Sequence, residues 1–371
     1  YRLLNRQAID ALHRYKYAGG DLSKIYKYIL SPFAEWGVTL MPRWLAPNII
    51  TLIGLIFVIL THAMMAWYSP SFDGDPPRWT FVLCALGLFL YSWFDNMDGK
   101  QARRTGSSSP LGMLFDHGCD AVNSTVSTVT FICAMQLGAL ENGMLMAFGY
   151  WLAVTTAFYF ATWEEYHVGE MWLPVINGPS EGIILTELCH LTSAIMGPAF
   201  WADKAHVVLG LALFACAVTL LTQMYNTAKY MWGQGRSFLP AVVRMTSWLT
   251  LVGGGFAWMV LSPTLVSEHP RLMFALLGIS FSECVTRLML AHILESEYDA
   301  PWHAVLPVAA GAANALWAVM FECPPLVNEV VYLVACIAFT ALSYSSLIYL
   351  VITELSAVLG IRWYSVHKRS A

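Results

Sequence analysis

Four carboxylates stand out in a chain otherwise poor in charge. From residue 95 to residue 120 the sequence reads DNMDGKQARRTGSSSPLGMLFDHGCD. Asp95 and Asp98 are three residues apart, and Asp116 and Asp120 four apart, so each pair shares one face of a helix. Two helices joined by the short polar turn between them would present all four acids to one another. Such a group near a membrane edge cannot stay ionised without cations to neutralise it. Four basic partners are not available nearby, so divalent metal is the natural counter-charge. An all-oxygen ligand set suits Mg2+, Mn2+ or Ca2+ rather than zinc. Four carboxylates suffice for two ions about 3.5–4 Å apart, the arrangement that clamps a phosphoryl group during displacement. Gly99 and Ala102 leave one helix surface bare for a bulky ligand, Gly112 thins the opposing helix, and Arg103 offers a bidentate donor to phosphate. An ordinary loop whose acids pair with Lys100, Arg103 and Arg104 would not explain the helical spacing or the interleaved small residues.

The elements that must position these residues are apolar. Of 371 residues 57% are hydrophobic and 12% charged, about half the charged share usual in soluble proteins. Mean hydropathy is +0.56. The composition predicts an all-α integral membrane protein; the alternating segments of a membrane β-barrel are absent. Apolar windows of about 20 residues fall near 48–68, 79–94, 118–139, 143–162, 183–200, 206–226, 239–261, 271–293, 302–321 and 327–355, about ten transmembrane helices. The first 46 residues are too polar for a cleavable signal peptide.

Lys and Arg set the orientation. Seven precede the first span (Arg2, Arg6, Arg14, Lys16, Lys24, Lys27 and Arg43) and three lie between spans two and three (Lys100, Arg103 and Arg104). Three more lie near spans six and seven (Lys229, Arg236 and Arg244) and three at the end (Arg362, Lys368 and Arg369), so 16 of 20 fall on one side. Both termini and the loop after span two are therefore expected in the cytosol. Leu22, Ile25, Ile29 and Phe33 recur at helical spacing, which predicts an N-terminal interfacial helix over 22–37 on the cytosolic leaflet. The expected organisation is a cytosolic N-terminal segment (1–46), six catalytic helices carrying the 95–120 motif (47–226), and four further helices with a cytosolic tail (227–371). The net charge of −4 disfavours nucleic acid as a partner. Eight scattered cysteines without paired spacing read as small core residues.

The pattern D-x2-D-G-x2-A-R-x8-G-x3-D-x3-D, met by Asp95, Asp98, Gly99, Ala102, Arg103, Gly112, Asp116 and Asp120, resembles the signature of the CDP-alcohol phosphotransferases. The stretches from Tyr17 to Ser23, from Ala46 to Thr51 and from Arg287 to His292 resemble the eukaryotic choline/ethanolamine phosphotransferase branch. The resemblance covers essentially the whole chain. It implies transfer of phosphocholine or phosphoethanolamine from CDP-choline or CDP-ethanolamine to the hydroxyl of diacylglycerol, releasing CMP. It also implies Asp95, Asp98, Asp116 and Asp120 as metal ligands, Arg103 on the diphosphate, Asn48 near the nucleotide, and a homodimer. The expected setting is an endoplasmic reticulum or Golgi membrane with the active site facing the cytosol, where an aqueous nucleotide donor and a membrane-dissolved acceptor meet.

The acceptor hydroxyl needs a base. A carboxylate that binds two cations is a weak base, whereas imidazole titrates near neutrality. That favours His117, with Asp120 as the alternative. In the acidic, aromatic stretch 163–182, Glu164, Glu165 or Glu181 could attract a choline or ethanolamine cation, and Tyr159, Trp163 or Tyr166 could stack on it. An interfacial aromatic belt explains the same residues. Glu283 and Arg287, four apart within a span, are expected to neutralise each other. Two competing readings remain: another CDP-alcohol specificity such as the inositol type, and, in a different class, a cation-coupled transporter using the four acids as its pathway.

Overall fold

The computed structural model describes residues 4–366. Arg2, Lys368 and Arg369, counted above for orientation, lie outside them, as do the extreme chain ends. Among the described residues the chain is almost entirely helical. A short helix α1 (Arg6–Arg14) leads to a strand β1 (Gly19–Asp21), a π-helical turn (Tyr26–Leu30) and α2 (Ser31–Leu40). There follow α3 (Pro47–Tyr68), α4 (Arg78–Thr105), α5 (Pro110–Ala134) and α6 (Gly143–Val168). The strand β2 (Met171–Leu173) precedes α7 (Ile183–Met196), α8 (Ala205–Gly233), α9 (Leu239–Arg244) and α10 (Thr246–Leu261). The chain ends with α11 (Pro263–Glu268), α12 (Pro270–Ile293), α13 (Trp302–Phe321) and α14 (Glu329–Leu359).

Each expected apolar segment coincides with a helix, and the 239–261 segment divides into α9 and α10. Seven helices (α3, α4, α6, α8, α12, α13 and α14) are long and apolar enough to cross a membrane. The other three differ for physical reasons. Helix α5 has 25 residues but carries Asp116, His117, Asp120, Asn123 and a run of Ser and Thr. Its hydroxyls bond back to carbonyls four residues earlier, as Ser124 does to Asp120 (2.8 Å) and Ser127 to Asn123 (2.6 Å), so part of its polarity is satisfied within the helix. Helices α7 and α10, with 14 and 16 residues, fall short of the ~20 that span a hydrocarbon core.

Helix α12 is the central stave, buried almost throughout and packed by α5, α6 and α14. Helices α10 and α13 approach closely because Gly254 lies where a Cβ would come within 3.1 Å of the Ala309 backbone. Gly255 is likewise covered by Leu277 and Phe148, whereas Gly253 meets nothing within 4 Å. The expected interfacial helix over 22–37 is not one regular helix. The π-turn runs into α2, Phe33 stacks on Trp93 of α4 (ring centroids 4.9 Å apart), and Lys100 donates to Ser31 (2.8 Å). Ile29, Phe33, Trp36 and Leu40 keep their apolar surface exposed, as a helix lying on lipid requires.

Candidate active site

The site is built around the turn between α4 and α5. Helix α4 runs unbroken through Asp95 and Asp98 and stops at Gly106, whose φ of 69° closes the helix. The Ser107 amide reaches back to the Ala102 carbonyl (2.9 Å) and the Gly106 amide to Arg103 (3.3 Å). Three residues on, Ser109 caps α5 by accepting the Gly112 amide (3.1 Å), with Pro110 in the first helical position. So tight a turn folds α5 back beside α4. Helix α3 packs along both, while α4 and α5 touch each other far less, so the space between them is left for the acids.

Carboxylate oxygens of Asp95, Asp98 and Asp116 lie within 4.8 Å of one another. Asp98 is buried and accepts the Thr51 hydroxyl. Asp120 neighbours Asp95, and its carboxylate accepts the Tyr91 hydroxyl (2.5 Å). One oxygen each of Asp95 and Asp116 is buried with no hydrogen-bond partner. Leaving such atoms unpaired is costly, and a hard cation would satisfy them. An added Cβ would find room at both glycines. At Gly99 its nearest neighbour is the flexible end of Arg103 (3.5 Å), and at Gly112 it meets Asn48 and Ser109 at 3.5 Å. Packing does not demand glycine at either position. The residues therefore fit a divalent-metal site with space for a ligand above it.

Above the acids lies a cavity of about 530 Å3. Asp98, Gly99, Ala102, Arg103, Gly112 and Asp116, anticipated from the motif, and Asn48, anticipated from the resemblance, line it. Residues that motif reasoning did not identify also line it: Lys16 and Tyr17 from the segment after α1, and Arg362 and Trp363 from the segment after α14. Partial burial pushes the Tyr17 hydroxyl up to about 12, with the Glu165 and Asp116 carboxylates adding to the rise, so it remains a proton donor. Thr51 and Tyr91 were also missed. The available signal for Tyr91 was its position one helical turn before Asp95.

His117 is buried beside this cavity. Its Nδ1 lies 3.2 Å from the Met113 carbonyl. A carbonyl only accepts, so this contact places the proton on Nδ1 and leaves Nε2 as the acceptor. The ring lies against Phe158 of α6 (6.4 Å between centroids), facing the interior helices.

The expected headgroup residues lie elsewhere. Tyr159 is fully buried and stacks on Trp248 (5.0 Å), and the indole of fully buried Trp163 donates to Ala241 (3.1 Å). Tyr166 donates to Ser296 (3.1 Å) and already carries the Arg244 guanidinium over its ring (5.8 Å). Glu181 uses both oxygens locally, accepting the Ser23 hydroxyl and the Asn177 amide (2.9 Å). None of these four lines the cavity. Glu283 and Arg287 do pair (2.9 Å), and His303 joins the same carboxylate oxygen (2.9 Å).

A helical membrane protein with carboxylates clustered under a cation-lined cavity is suited to chemistry on phosphate esters. Residues 44–263 match the family profile described as CDP-alcohol phosphatidyltransferase. The chain is 35% identical to choline/ethanolaminephosphotransferase 1 of Arabidopsis thaliana, over 99% of both chains. It is 31% identical to cholinephosphotransferase 1 of Saccharomyces cerevisiae, over 78% of both. The chain belongs to the CDP-alcohol phosphatidyltransferase family.

Proposed function

We propose that the protein transfers phosphocholine or phosphoethanolamine from CDP-choline or CDP-ethanolamine to diacylglycerol. The observation that carries this reading is the gathering of Asp95, Asp98 and Asp116 within 4.8 Å, with partnerless oxygens on two of them, directly under a nucleotide-sized cavity. The acceptor hydroxyl oxygen forms a bond to the phosphorus that carries the aminoalcohol. The bond from that phosphorus to the CMP oxygen breaks, and CMP leaves. His117 Nε2 takes the hydroxyl proton. Its orientation toward α6 and α12 suits an acceptor arriving from the membrane side, while the nucleotide enters from the cavity. Asp95, Asp98 and Asp116, with Asp120 as the fourth ligand, would hold Mg2+ or Mn2+, two ions by the count of carboxylates. Bound metal supplies counter-charge to the diphosphate and to departing CMP. Arg103 binds the diphosphate and Asn48 lies near the nucleotide, with Gly99 and Ala102 allowing close approach.

The domain division at 46/47 and 226/227, a homodimer, and an endoplasmic reticulum or Golgi membrane with the site facing the cytosol belong to the same reading. A count of ten crossings belongs to the same reading. Tyr15–Tyr17 and Leu359–Trp363 line one cavity, which favours an even number of crossings between them. Seven is odd; α5 alone makes eight, and ten requires the short helices α7 and α10 to cross as well. The deciding experiment is purified protein in liposomes with diacylglycerol, Mg2+ and either CDP-alcohol. Lipid and CMP should form in equal amounts, and a protein that releases no CMP from any CDP-alcohol is not this enzyme.

A further inference from the structure

Three cations reach the cavity from three separate stretches of chain: Lys16 after α1, Arg103 at the end of α4, and Arg362 after α14. Three neighbouring cations are engaged elsewhere. Arg14 pairs with Glu295 (2.8 Å), Lys100 with Glu35 (3.2 Å), and Arg104 donates to the Val38 and Met41 carbonyls. Among the described residues, no carboxylate lies in ion-pair range of Lys16, Arg103 or Arg362. Three cations without a carboxylate partner therefore line this cavity.

The backbone carrying the two outlying cations is held in place. Gly360, with φ of 63°, turns the chain out of α14. The Asn48 side chain donates to the Trp363 carbonyl (3.0 Å), and the Trp363 ring stacks on Phe115 of α5 (5.9 Å, 19° between planes). On the other side, Tyr15 meets His292 edge-on (5.7 Å), and β1 pairs with β2 in parallel from Gly19 to Asp21. Lys16 lies between these anchors.

We propose that Lys16 and Arg362 hold the diphosphate of the CDP-alcohol together with Arg103, so that the two ends of the chain complete the nucleotide site. This rests on the transferase reading above and names residues that the 95–120 motif does not contain. The motif supplies only one cation to this cavity, while a diphosphate diester carries two negative charges. Two divalent ions held by its four acids would carry no net charge beyond that of the acids, so they would leave the diphosphate's own two charges unmatched. An Arg fork and a Lys ammonium lining the same cavity would supply directed donors and the missing charge.

The test uses the full chain in diacylglycerol liposomes, with initial rates against CDP-choline and CDP-ethanolamine. Arg362→Ala and Lys16→Ala should each raise KM for the CDP-alcohol about tenfold, the loss of one charge-assisted hydrogen bond. KM for diacylglycerol should stay put, and kcat should change much less than KM. Arg362→Lys should recover most of the affinity, as a merely structural role for the guanidinium would not predict. Competition by CMP should weaken in the Ala variants, while competition by uncharged cytidine should not. Unchanged KM in both variants, or equal weakening of CMP and cytidine, overturns the proposal while wild-type turnover leaves the transferase reading standing. Absence of CMP release by the wild type removes both.

Discussion

His117 and Asp116 are sequence neighbours whose side chains come within 3.8 Å of each other, yet only Asp116 lines the cavity while the His117 ring lies against Phe158. Their substitutions should fail differently. His117→Ala should lower turnover by ~10²–10⁴-fold, as for loss of a general base, and leave CDP-alcohol binding nearly intact. Asp120→Asn should instead lose activity that added Mg2+ partly restores. If His117→Ala keeps most of its turnover, Asp120 inherits the role of base. Asp95→Ala and Asp116→Ala should be nearly inactive though inserted and folded, and a chelator should abolish wild-type activity until Mg2+ or Mn2+ returns. Full turnover in excess chelator would remove metal from the mechanism. Gly99→Ala probes the space above the acids. An added methyl meets only the tip of Arg103, and Ala in a helix interior is favoured over Gly by roughly 0.5–1 kcal/mol. The variant should melt no lower than wild type yet show a higher KM for the CDP-alcohol. A melting temperature that falls with KM unchanged would assign Gly99 to packing.

At the scale of elements, the motif was legible because its spacing matches helix geometry and because Gly106, Ser109 and Pro110 are stop and start signals written locally. Helix positions followed from apolar runs. The cavity walls were not legible, since Lys16 and Arg362 are 346 residues apart in the sequence and meet only through packing. That the proposed headgroup residues lie outside the cavity lining has a similar cause. Aromatics near a cytosolic loop look alike in sequence whether they face a ligand or, like Tyr159 on Trp248, a neighbouring helix. Glu181 belongs to a knot that ties the N-terminal segment to the loop before α7. Asp21 accepts the Ser23 amide (2.7 Å), the Asn177 side chain (2.8 Å) and the Ser180 hydroxyl (2.7 Å). Asp21→Ala removes three acceptor contacts at once, each net worth ~0.5–1.5 kcal/mol and more to a charged group. Hydrogen exchange at residues 19–23 should accelerate while α12 stays protected, and KM for the CDP-alcohol should rise as Lys16 loses its anchor. Unchanged exchange at 19–23 would show that the β1–β2 pairing alone holds the segment.

At the scale of the whole molecule, one orientation must satisfy charge, parity and chemistry together. The basic residues cluster on the side that carries the cavity. The opposite ends of the helices meet in a different set of contacts, in which Arg271 donates to the Met65 and Ser69 carbonyls and Gln136 to Gly74 (2.8 Å). Positive residues are retained on the cytosolic face, which predicts the cavity on the cytosolic side and the loop from Trp201 to Lys204 on the far side. Ser108 and Asp203 are both exposed and mark the two faces. In sealed vesicles with the cytosolic face outward, Ser108→Cys should react with a membrane-impermeant maleimide, and Asp203→Cys should react only after the vesicles are opened. A cysteine at Glu297, in the exposed connection between α12 and α13, adds the parity check, because with ten crossings it reports the same side as Ser108. Labelling of Ser108→Cys only from within would reverse the molecule and take the nucleotide site out of reach of a cytosolic donor. Labelling of Ser108 and Glu297 from opposite sides would mean an odd number of crossings from α5 to α12 and would overturn the count of ten.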